Sequence, residues 1–180
     1  MKRKQHAMTR DAITPAIIRD DLDYDPLTGK FKWRAVRVGV TRGAEVGVVN
    51  KHGYVVIPLR RNIFQAHRLA WAHYFKEMPA AQIDHINGDK TDNRIANLRL
   101  ATPSQNKANT EAQKNSASGL KGVSWHKKDR RWIARIQKNG SRVEVGRFKT
   151  AEEAAAAYDR ACLEVFGEYG RANGPRQTNT

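Results

Sequence analysis

The stretch "IDHINGDKTDNRIANLRLATPSQNKAN", residues 83–109, decides the fold of the middle of this chain. It is too polar for a core element, yet it places Asp84 beside His85 and contains five asparagines. The pattern predicts a strand that ends in "QIDH", a polar loop "INGDKTDNRIAN" and a second strand "LRLAT". "TPSQNKAN" predicts a helix, because Thr102 is a suitable N-cap, Pro103 suits the first position and Gln105 completes a capping box. The predicted order is strand, loop, strand, helix.

This segment contains the groups that phosphodiester hydrolysis requires, which are a base for the attacking water and a cation for the phosphate. His85 can act as the base, since the pKa of a free histidine lies near neutrality. Asp84 and Asn106 offer hard oxygen ligands, which suit Mg²⁺ or Mn²⁺ better than zinc. Asn97 can hydrogen-bond the loop backbone. Adjacent strand residues point to opposite faces, so Asp84 and His85 can share a site only where the strand ends or twists strongly.

A calcium-binding loop is excluded by spacing. If Gly88 were the sixth residue of such a loop, Ile83 would be the first and Arg94 the twelfth, and neither is a calcium ligand.

The segment resembles the ββα-metal motif of HNH endonucleases of the phage and intron type. In that family an Asp-His pair is followed by a structural Asn and then by a terminal Asn in place of the last His. The resemblance extends through "AHRLAWAHYF" and "NLRLATPSQN" and covers roughly residues 14–109. It implies His85 as general base, Asp84 and Asn106 as ligands of one Mg²⁺ or Mn²⁺ per active site, and Asn97 as loop anchor. His67 is a candidate for active-site support, and a core or surface role for it is equally open.

The upstream region predicts the rest of this nuclease domain. "TPAIIRDDL", residues 14–22, predicts a short helix, and "DPLTG" predicts a turn before the strand "KFKWR". A hairpin is predicted around "NKHG", residues 50–53, and a helix over residues 65–75.

The last third of the chain has a different pattern. Residues 110–118 lack apolar periodicity and predict a linker. "GVSWHKK", "RRWIARIQK" and "SRVEVGRFK" predict three antiparallel strands. "TAEEAAAAYDRACLEVFG" predicts a helix that starts with a Thr150–Glu153 capping box and stops at Gly167.

Charge and strand parity predict which face of this sheet meets a partner. Residues 121–149 hold ten Lys and Arg against two acidic residues, whereas residues 150–166 hold one Arg against four acidic residues. Alternation places Trp125, Trp132, Ala134, Ile136 and Val143 against the helix. The opposite face contains Ile133 and the residues predicted to contact DNA: Ser124, His126, Arg131, Arg135, Gln137, Arg142 and Glu144. Arg can read guanine through two hydrogen bonds, and Gln can read adenine in the same way.

Residues 119–173 resemble the DNA-binding domain of plant ethylene-response factors of the APETALA type, through "GVSWHKKDRRWIARI", "RVEVGRF" and "TAEEAAAAYDRA". Ser124 and Glu144 stand at two positions where the plant domains have further Arg and Trp, so the plant target sequence does not transfer. The predicted fold is α+β, with a ββα-metal HNH domain followed by a three-stranded antiparallel sheet packed on one helix. The predicted organisation is a basic tail (1–13), a nuclease domain (14–109), a linker (110–118), a DNA-binding domain (119–173) and a C-terminal tail (174–180).

Composition limits the function. The net charge of +15, from 33 Lys and Arg against 18 acidic residues, favours a nucleic-acid partner. A single cysteine, Cys162, excludes an internal disulfide and a cysteine zinc site, and its Ala-rich context predicts a small core residue. The chain has no apolar run of membrane-spanning length and no secretory signal, so we expect a cytoplasmic protein in a bacterial or phage-infected cell.

These observations predict a metal-dependent homing-type endonuclease that nicks double-stranded DNA, with no membrane and no implied protein partner. Two alternatives stay open at this point. One is a non-enzymatic, sequence-specific DNA-binding protein with an inactive HNH fold. The other is a protein that binds or cuts RNA.

Overall fold

A computed structural model describes residues 13–34, 39–112 and 116–174. The basic tail predicted for residues 1–13 and the tail predicted for residues 174–180 therefore lie almost wholly outside the described residues. Within the described ranges, no helix has both the length and the apolar character needed to cross a membrane. The chain divides into two compact units, Met1–Ala80 with Asp89–Leu98 and Ala81–Gly88 with Arg99–Thr180.

The described residues of the first unit form two α-helices, a short 3₁₀ turn and two small antiparallel sheets. Helix α1 (Pro15–Asp21) begins as predicted, with the Thr14 hydroxyl accepting a hydrogen bond from the Ile17 amide. The remaining elements are β1 (Leu22–Tyr24), β2 (Phe31–Trp33), β3 (Glu45–Val46), β4 (Val48–Val49), β5 (Val55–Leu59), β6 (Asn62–Gln65) and α2 (Ala66–Phe75). The strands pair in the orders β1-β2-β3 and β4-β5-β6, so the hairpin predicted around residues 50–53 is confirmed. The fully buried side chains of the first unit include Ile18, Leu22, Ile57, Leu59 and Leu69.

A turn in the first unit fixes the loop that carries Asn97. Gly29 has φ +74, and a Cβ at this position would lie 2.5 Å from the Arg94 amide nitrogen, so only glycine fits. The Tyr24 hydroxyl donates to the Asn93 carbonyl at 2.8 Å. The Ile95 amide donates to the carbonyl of residue 26 at 3.1 Å. The short 3₁₀ turn Ile95–Asn97 is thereby held in place.

The second unit contains both the end of the predicted nuclease motif and the C-terminal module. Strands β7 (Gln82–His85) and β8 (Leu98–Ala101) pair, and helix α3 (Pro103–Ala108) follows with both bonds of the predicted capping box. Further along the chain come β9 (Val123–His126), β10 (Arg131–Lys138), β11 (Ser141–Phe148) and α4 (Ala151–Phe166). β10 lies between β9 and β11 in an antiparallel sheet. The predicted α+β fold class is confirmed.

Helix α4 packs closely on this sheet. Gly122 shows how closely, because a Cβ there would lie 2.1 Å from the Tyr158 ring. Cys162 is completely buried, as predicted. The cluster of buried residues is Ala108, Val123, Ala134, Ile136, Ala154, Ala155, Ala157, Tyr158, Cys162 and Phe166. Ala108 belongs to α3, so the last residue of the nuclease-motif helix is part of the core of the C-terminal module.

Strict alternation in the sheet is wrong at three positions. Ile133, expected on the exposed face, is completely buried, whereas Trp125 and Val143, expected against the helix, are 45% and 52% exposed. The register shifts between Ala134 and Arg135, but the extra residue, Val145, lies in β11, so alternation within β10 is unbroken. Ile133 is buried although it is not part of the buried cluster on α4. Trp125 and Val143 also lie on the two edge strands, β9 and β11, at the margins of the sheet.

Candidate active site and nucleic-acid interface

Strand β7 ends in the Asp84–His85 pair. Both residues are 95% buried, and the preceding Ile83 is also buried, so alternation fails at this end of the strand. The chain then turns at once, because the Gly88 amide donates to the His85 carbonyl at 2.8 Å and Gly88 has φ +75. The pair therefore lies where the strand ends, as the sequence required for a shared site.

The Asp84 carboxylate is oriented from two sides. The Asn109 Nδ2 donates to both carboxylate oxygens, at 2.9 and 3.0 Å, and to the His85 carbonyl at 2.8 Å. The Arg99 Nε donates to Asp84 Oδ2 at 2.9 Å, and the Arg99 side chain is only 11% exposed. Hydrogen bonds to a carboxylate from a buried amide and a guanidinium fix its orientation.

Asn109 and Arg99 were not among the predicted site residues. Asn109 lies three residues after Asn106, at the C-terminal end of α3, and this i,i+3 spacing was the available signal. Arg99 stands two residues after Asn97, inside the strand-like "LRLAT", where an arginine is unremarkable. Nothing in the local pattern distinguishes it from a surface residue.

Asn106 lies beside the same strand. Its Nδ2 donates at 2.7 Å to Oε1 of Gln82, which lies two residues before Asp84 in β7. Within the described ranges its Oδ1 makes no hydrogen bond, so the amide oxygen is available to a cation.

The donor set determines which metal would fit. Asp84 and Asn106 supply hard oxygens, and no group of three His, Cys, Asp or Glu side chains suited to a metal is present in the part of the chain that the structure describes. Structural zinc sites have four protein ligands, usually Cys and His. Mg²⁺ and Mn²⁺ accept few protein ligands and take water and phosphate oxygens for the rest. The residues present fit the second kind of ion.

The other two predicted nuclease residues lie in the first unit. The Asn97 Nδ2 donates to the Asp92 carbonyl at 2.8 Å, and the Asp92 carboxylate forms a two-point ion pair with Arg94, at 2.8 and 2.6 Å. This closes the loop that Asn97 was predicted to anchor. His67 is buried in α2, with its ring centroid 5.5 Å from that of Tyr54. Asp84, His85 and Asn106 lie in the second unit.

Four of the predicted DNA-contacting residues surround one cavity of about 410 Å³ in the second unit. They are Ser124, Arg135, Gln137 and Arg142. Lys107 of α3 and Lys121 also border this cavity, so its lining is strongly basic. Arg131 is exposed on the sheet but does not border it. The arrangement concentrates positive charge where the sheet meets the end of α3, which favours a phosphate-bearing partner.

Lys121 occupies an unusual position for a lysine. Burial lowers the pKa of Lys121 to about 8. Its ammonium group donates to the Ala108 carbonyl and lies 5.9 Å from the centroid of the Tyr158 ring. Its positive charge therefore contributes to the cavity most fully below this pKa.

The remaining predicted sheet residues, His126 and Glu144, lie close to charged side chains of the same sheet. His126 Nδ1 lies 3.2 Å from Asp129, and Asp129 also pairs with Arg147. Glu144 Oε1 accepts from the Arg147 Nε at 2.7 Å, and Glu144 Oε2 lies 3.5 Å from Arg135. Glu144 thus compensates two arginines of the sheet, of which Arg147 was not predicted.

Comparison with known proteins agrees with this geometry. Residues 64–108 match the HNH endonuclease family, and residues 118–168 match the AP2 domain. An uncharacterized HNH endonuclease of Acanthamoeba polyphaga mimivirus is 29% identical over 153 residues, which cover 84% of this chain and 72% of the viral protein. Protein 3.8 of Escherichia phage T7 is 35% identical over 89 residues, covering 49% of this chain and 73% of the phage protein.

The C-terminal part has plant relatives. Dehydration-responsive element-binding protein 2A of Arabidopsis thaliana is 39% identical over 72 residues, which cover 39% of this chain and 20% of the plant protein. The two predicted resemblances are confirmed. The chain belongs to the HNH endonucleases, which are DNA-cleaving enzymes, and carries an AP2 domain after its nuclease motif.

Proposed function

We propose that this enzyme hydrolyses duplex DNA with one divalent metal ion, Mg²⁺ or Mn²⁺, held by Asp84 and Asn106. The observation that carries the proposal is the buried Asp84 carboxylate at the end of β7, oriented by Asn109 and Arg99 beside His85. HNH nucleases generally use a divalent metal ion. Bound here, the ion would supply charge stabilisation for the phosphate in the transition state.

His85 is proposed as the general base. A neutral imidazole can take the proton of the attacking water at physiological pH. Its backbone carbonyl accepts bonds from Asn109 and from the Gly88 amide, which restrict the position of the residue. Asn97 is proposed to hold the loop between β7 and β8, and its bond to the Asp92 carbonyl supports that role.

The AP2 domain is proposed to select the site on double-stranded DNA. The proposed contacts are Ser124, His126, Arg131, Arg135, Gln137, Arg142 and Glu144. The basic lining of the cavity supports this assignment for Arg135 and Arg142, which both border it. One metal and one base per chain imply that a single binding event nicks one strand. Similarity to a phage protein is consistent with action in the cytoplasm of a phage-infected bacterial cell. The proposed domain boundaries are those predicted from the sequence.

Plasmid cleavage tests the proposal. We expect the wild type to convert supercoiled plasmid to the open circle first and to the linear form later, and to require Mg²⁺ or Mn²⁺. Asp84→Ala and Asn106→Ala should slow cleavage by at least about tenfold to a hundredfold, with partial recovery at high Mn²⁺. Asp20→Ala, an exposed aspartate of α1, is the matched control and should cut normally.

Two outcomes would contradict the proposal. Cleavage that persists in EDTA would exclude the metal, and a wild-type rate for Asp84→Ala would exclude its assigned role. Direct conversion to the linear form by a demonstrated monomer would exclude nicking.

A further inference from the structure

The chain that follows α4 forms what we call the C-terminal strap, residues 167–174. It begins with the 3₁₀ turn Gly167–Tyr169 and is fastened to α4 on one side. The Asn173 amide and side-chain Nδ2 both donate to Asp159 Oδ1 at 2.9 Å. A Cβ on Gly170 would lie 2.8 Å from the Cys162 carbonyl oxygen, so the strap lies directly against the helix.

The strap is also fastened to the nuclease motif. The Tyr169 hydroxyl donates to the Leu100 carbonyl of β8 at 3.0 Å. The Arg171 amide donates to the Ala108 carbonyl at the end of α3 at 3.0 Å. The HNH match ends at residue 108 and the AP2 match at residue 168, so the strap from Tyr169 onward lies outside both families' patterns.

Arg99 connects the strap to Asp84. Its guanidinium carbon lies 3.9 Å from the Tyr169 ring centroid, and its Nη1 donates to the Glu168 carbonyl at 3.1 Å. From that position its Nε donates to Asp84 Oδ2 at 2.9 Å. Stacking on one face and a hydrogen bond at one end leave the guanidinium little freedom to turn away from the carboxylate.

We propose that Arg99 is a positioning residue for Asp84, and that Tyr169 of the C-terminal strap holds Arg99 in place. The segment that follows the AP2 match thereby supplies part of the support of the catalytic centre. This inference rests on the proposed role of Asp84 as a metal ligand. Partners that orient a ligating carboxylate typically change metal affinity or activity by about tenfold to a hundredfold when they are lost.

The test must separate the effect of the Arg99 charge from the effect of the Arg99 position. Removing the Arg99 charge would also relieve its repulsion of a metal ion, so an alanine variant would combine two opposite effects. Tyr169→Leu keeps that charge but removes both the stacking and the Leu100 bond. Tyr169→Phe removes only the Leu100 bond, and Arg99→Lys keeps the charge without the planar fork.

The experiment compares these three full-length variants with the wild type, with Asp84→Ala and with the control Leu163→Ala, an α4 residue that is 53% exposed. Mn²⁺ affinity is read from the electron paramagnetic resonance signal of free Mn²⁺, without DNA. Single-turnover cleavage at saturating Mg²⁺ and duplex affinity in EDTA are measured beside it. We expect Tyr169→Leu and Arg99→Lys to weaken Mn²⁺ binding and slow cleavage by about tenfold to a hundredfold. Duplex affinity should stay within about twofold, and Tyr169→Phe should lie close to the wild type.

Each result decides something. Wild-type Mn²⁺ affinity and cleavage in a folded Tyr169→Leu would overturn the proposal. If Tyr169→Leu loses duplex affinity because it no longer folds, Arg99→Lys decides, and wild-type Mn²⁺ affinity in that variant would overturn the proposal. Unchanged Mn²⁺ binding in Asp84→Ala would instead refute the proposed metal site itself.

Discussion

Asn109→Asp is an isosteric change that replaces a hydrogen-bond donor to Asp84 with a second carboxylate. The wild-type amide donates to both Asp84 oxygens and to the His85 carbonyl, all within 3.0 Å. The variant replaces this donor with a second carboxylate facing the first. In the metal-free protein the two carboxylates repel each other, whereas a divalent cation between them would be attracted by both.

The expected loss of stability follows from these contacts. Hydrogen bonds to a charged acceptor contribute about 1.5–3 kcal/mol each, and the two protons of one amide can make about two of them well. Two unit charges about 3 Å apart repel by roughly 5 kcal/mol at an effective dielectric of about 20, and protonation of one carboxyl limits this cost. We expect a net loss of about 4–6 kcal/mol at pH 7. For a chain of this size that corresponds to a fall in Tm of roughly 10–20 °C.

Thermal unfolding with and without Mn²⁺ measures both effects. We expect Mn²⁺ at about a hundred times its dissociation constant to restore about 2.7 kcal/mol of the loss. The matched control is Asn173→Asp, because the Asn173 Nδ2 also donates to an aspartate, Asp159, at 2.9 Å and to the Lys121 carbonyl at 3.2 Å. This control should lose stability in a similar way and gain from Mn²⁺ only what the wild type gains, because its Asp84–Asn106 site is unchanged.

The reasoning would be refuted by either of two results. A Tm of Asn109→Asp equal to that of the wild type in EDTA would mean that the amide does not orient Asp84. A gain from Mn²⁺ in Asn109→Asp no larger than that of the wild type and of Asn173→Asp would mean that the new carboxylate does not help to bind the ion.

Three further predictions concern the AP2 domain. Arg135→Ala and Arg142→Ala should each cost about 1–3 kcal/mol of binding on a specific duplex if they contact a base, and unchanged affinity on specific and scrambled duplexes alike would remove the sheet from the interface. Glu144→Gln should tighten binding to scrambled duplex and steepen the salt dependence by about one contact, because it releases the arginines that Glu144 now compensates, and a shallower slope would contradict this. Burial lowers the pKa of Lys121 from 10.5 to about 8 in the folded protein, so between pH 8 and pH 10.5 the unfolded chain binds more protons than the folded chain. In urea unfolding, the wild type should therefore gain stability relative to Lys121→Met as the pH rises from about 8 to 10.5. Parallel stability curves for the two proteins would contradict this prediction.

Local signals explain why much of the fold was predictable. Both capping boxes, Thr102 with Gln105 and Thr150 with Glu153, are formed as predicted, because a cap depends on residues within one turn. The end of β7 at the Asp-His pair was predictable for a similar reason, since the next residues are turn formers. Ile133 was expected to be exposed and is buried, because alternation assigns a residue to a face of the sheet but does not report whether that face is covered.

The supports of the candidate site could not be predicted in the same way. Arg99 meets Glu168 and Tyr169 across about seventy residues of chain, and no periodicity links such positions. Residues 110–118 have linker composition, yet Ala108 just before them is part of the α4 core. Composition reports the character of a segment, whereas the packing of its neighbours depends on the tertiary fold.

The most direct test of the account is cleavage by His85→Ala on duplex DNA that is already fully bound. A general base contributes to the reaction and little to binding, so we expect single-turnover cleavage to fall by about 10²–10⁴-fold while duplex affinity stays within about twofold. His52→Ala, an exposed histidine in the turn between β4 and β5, is the matched control and should cut at the wild-type rate. A wild-type cleavage rate in a folded His85→Ala variant would contradict the central claim that His85 activates the water.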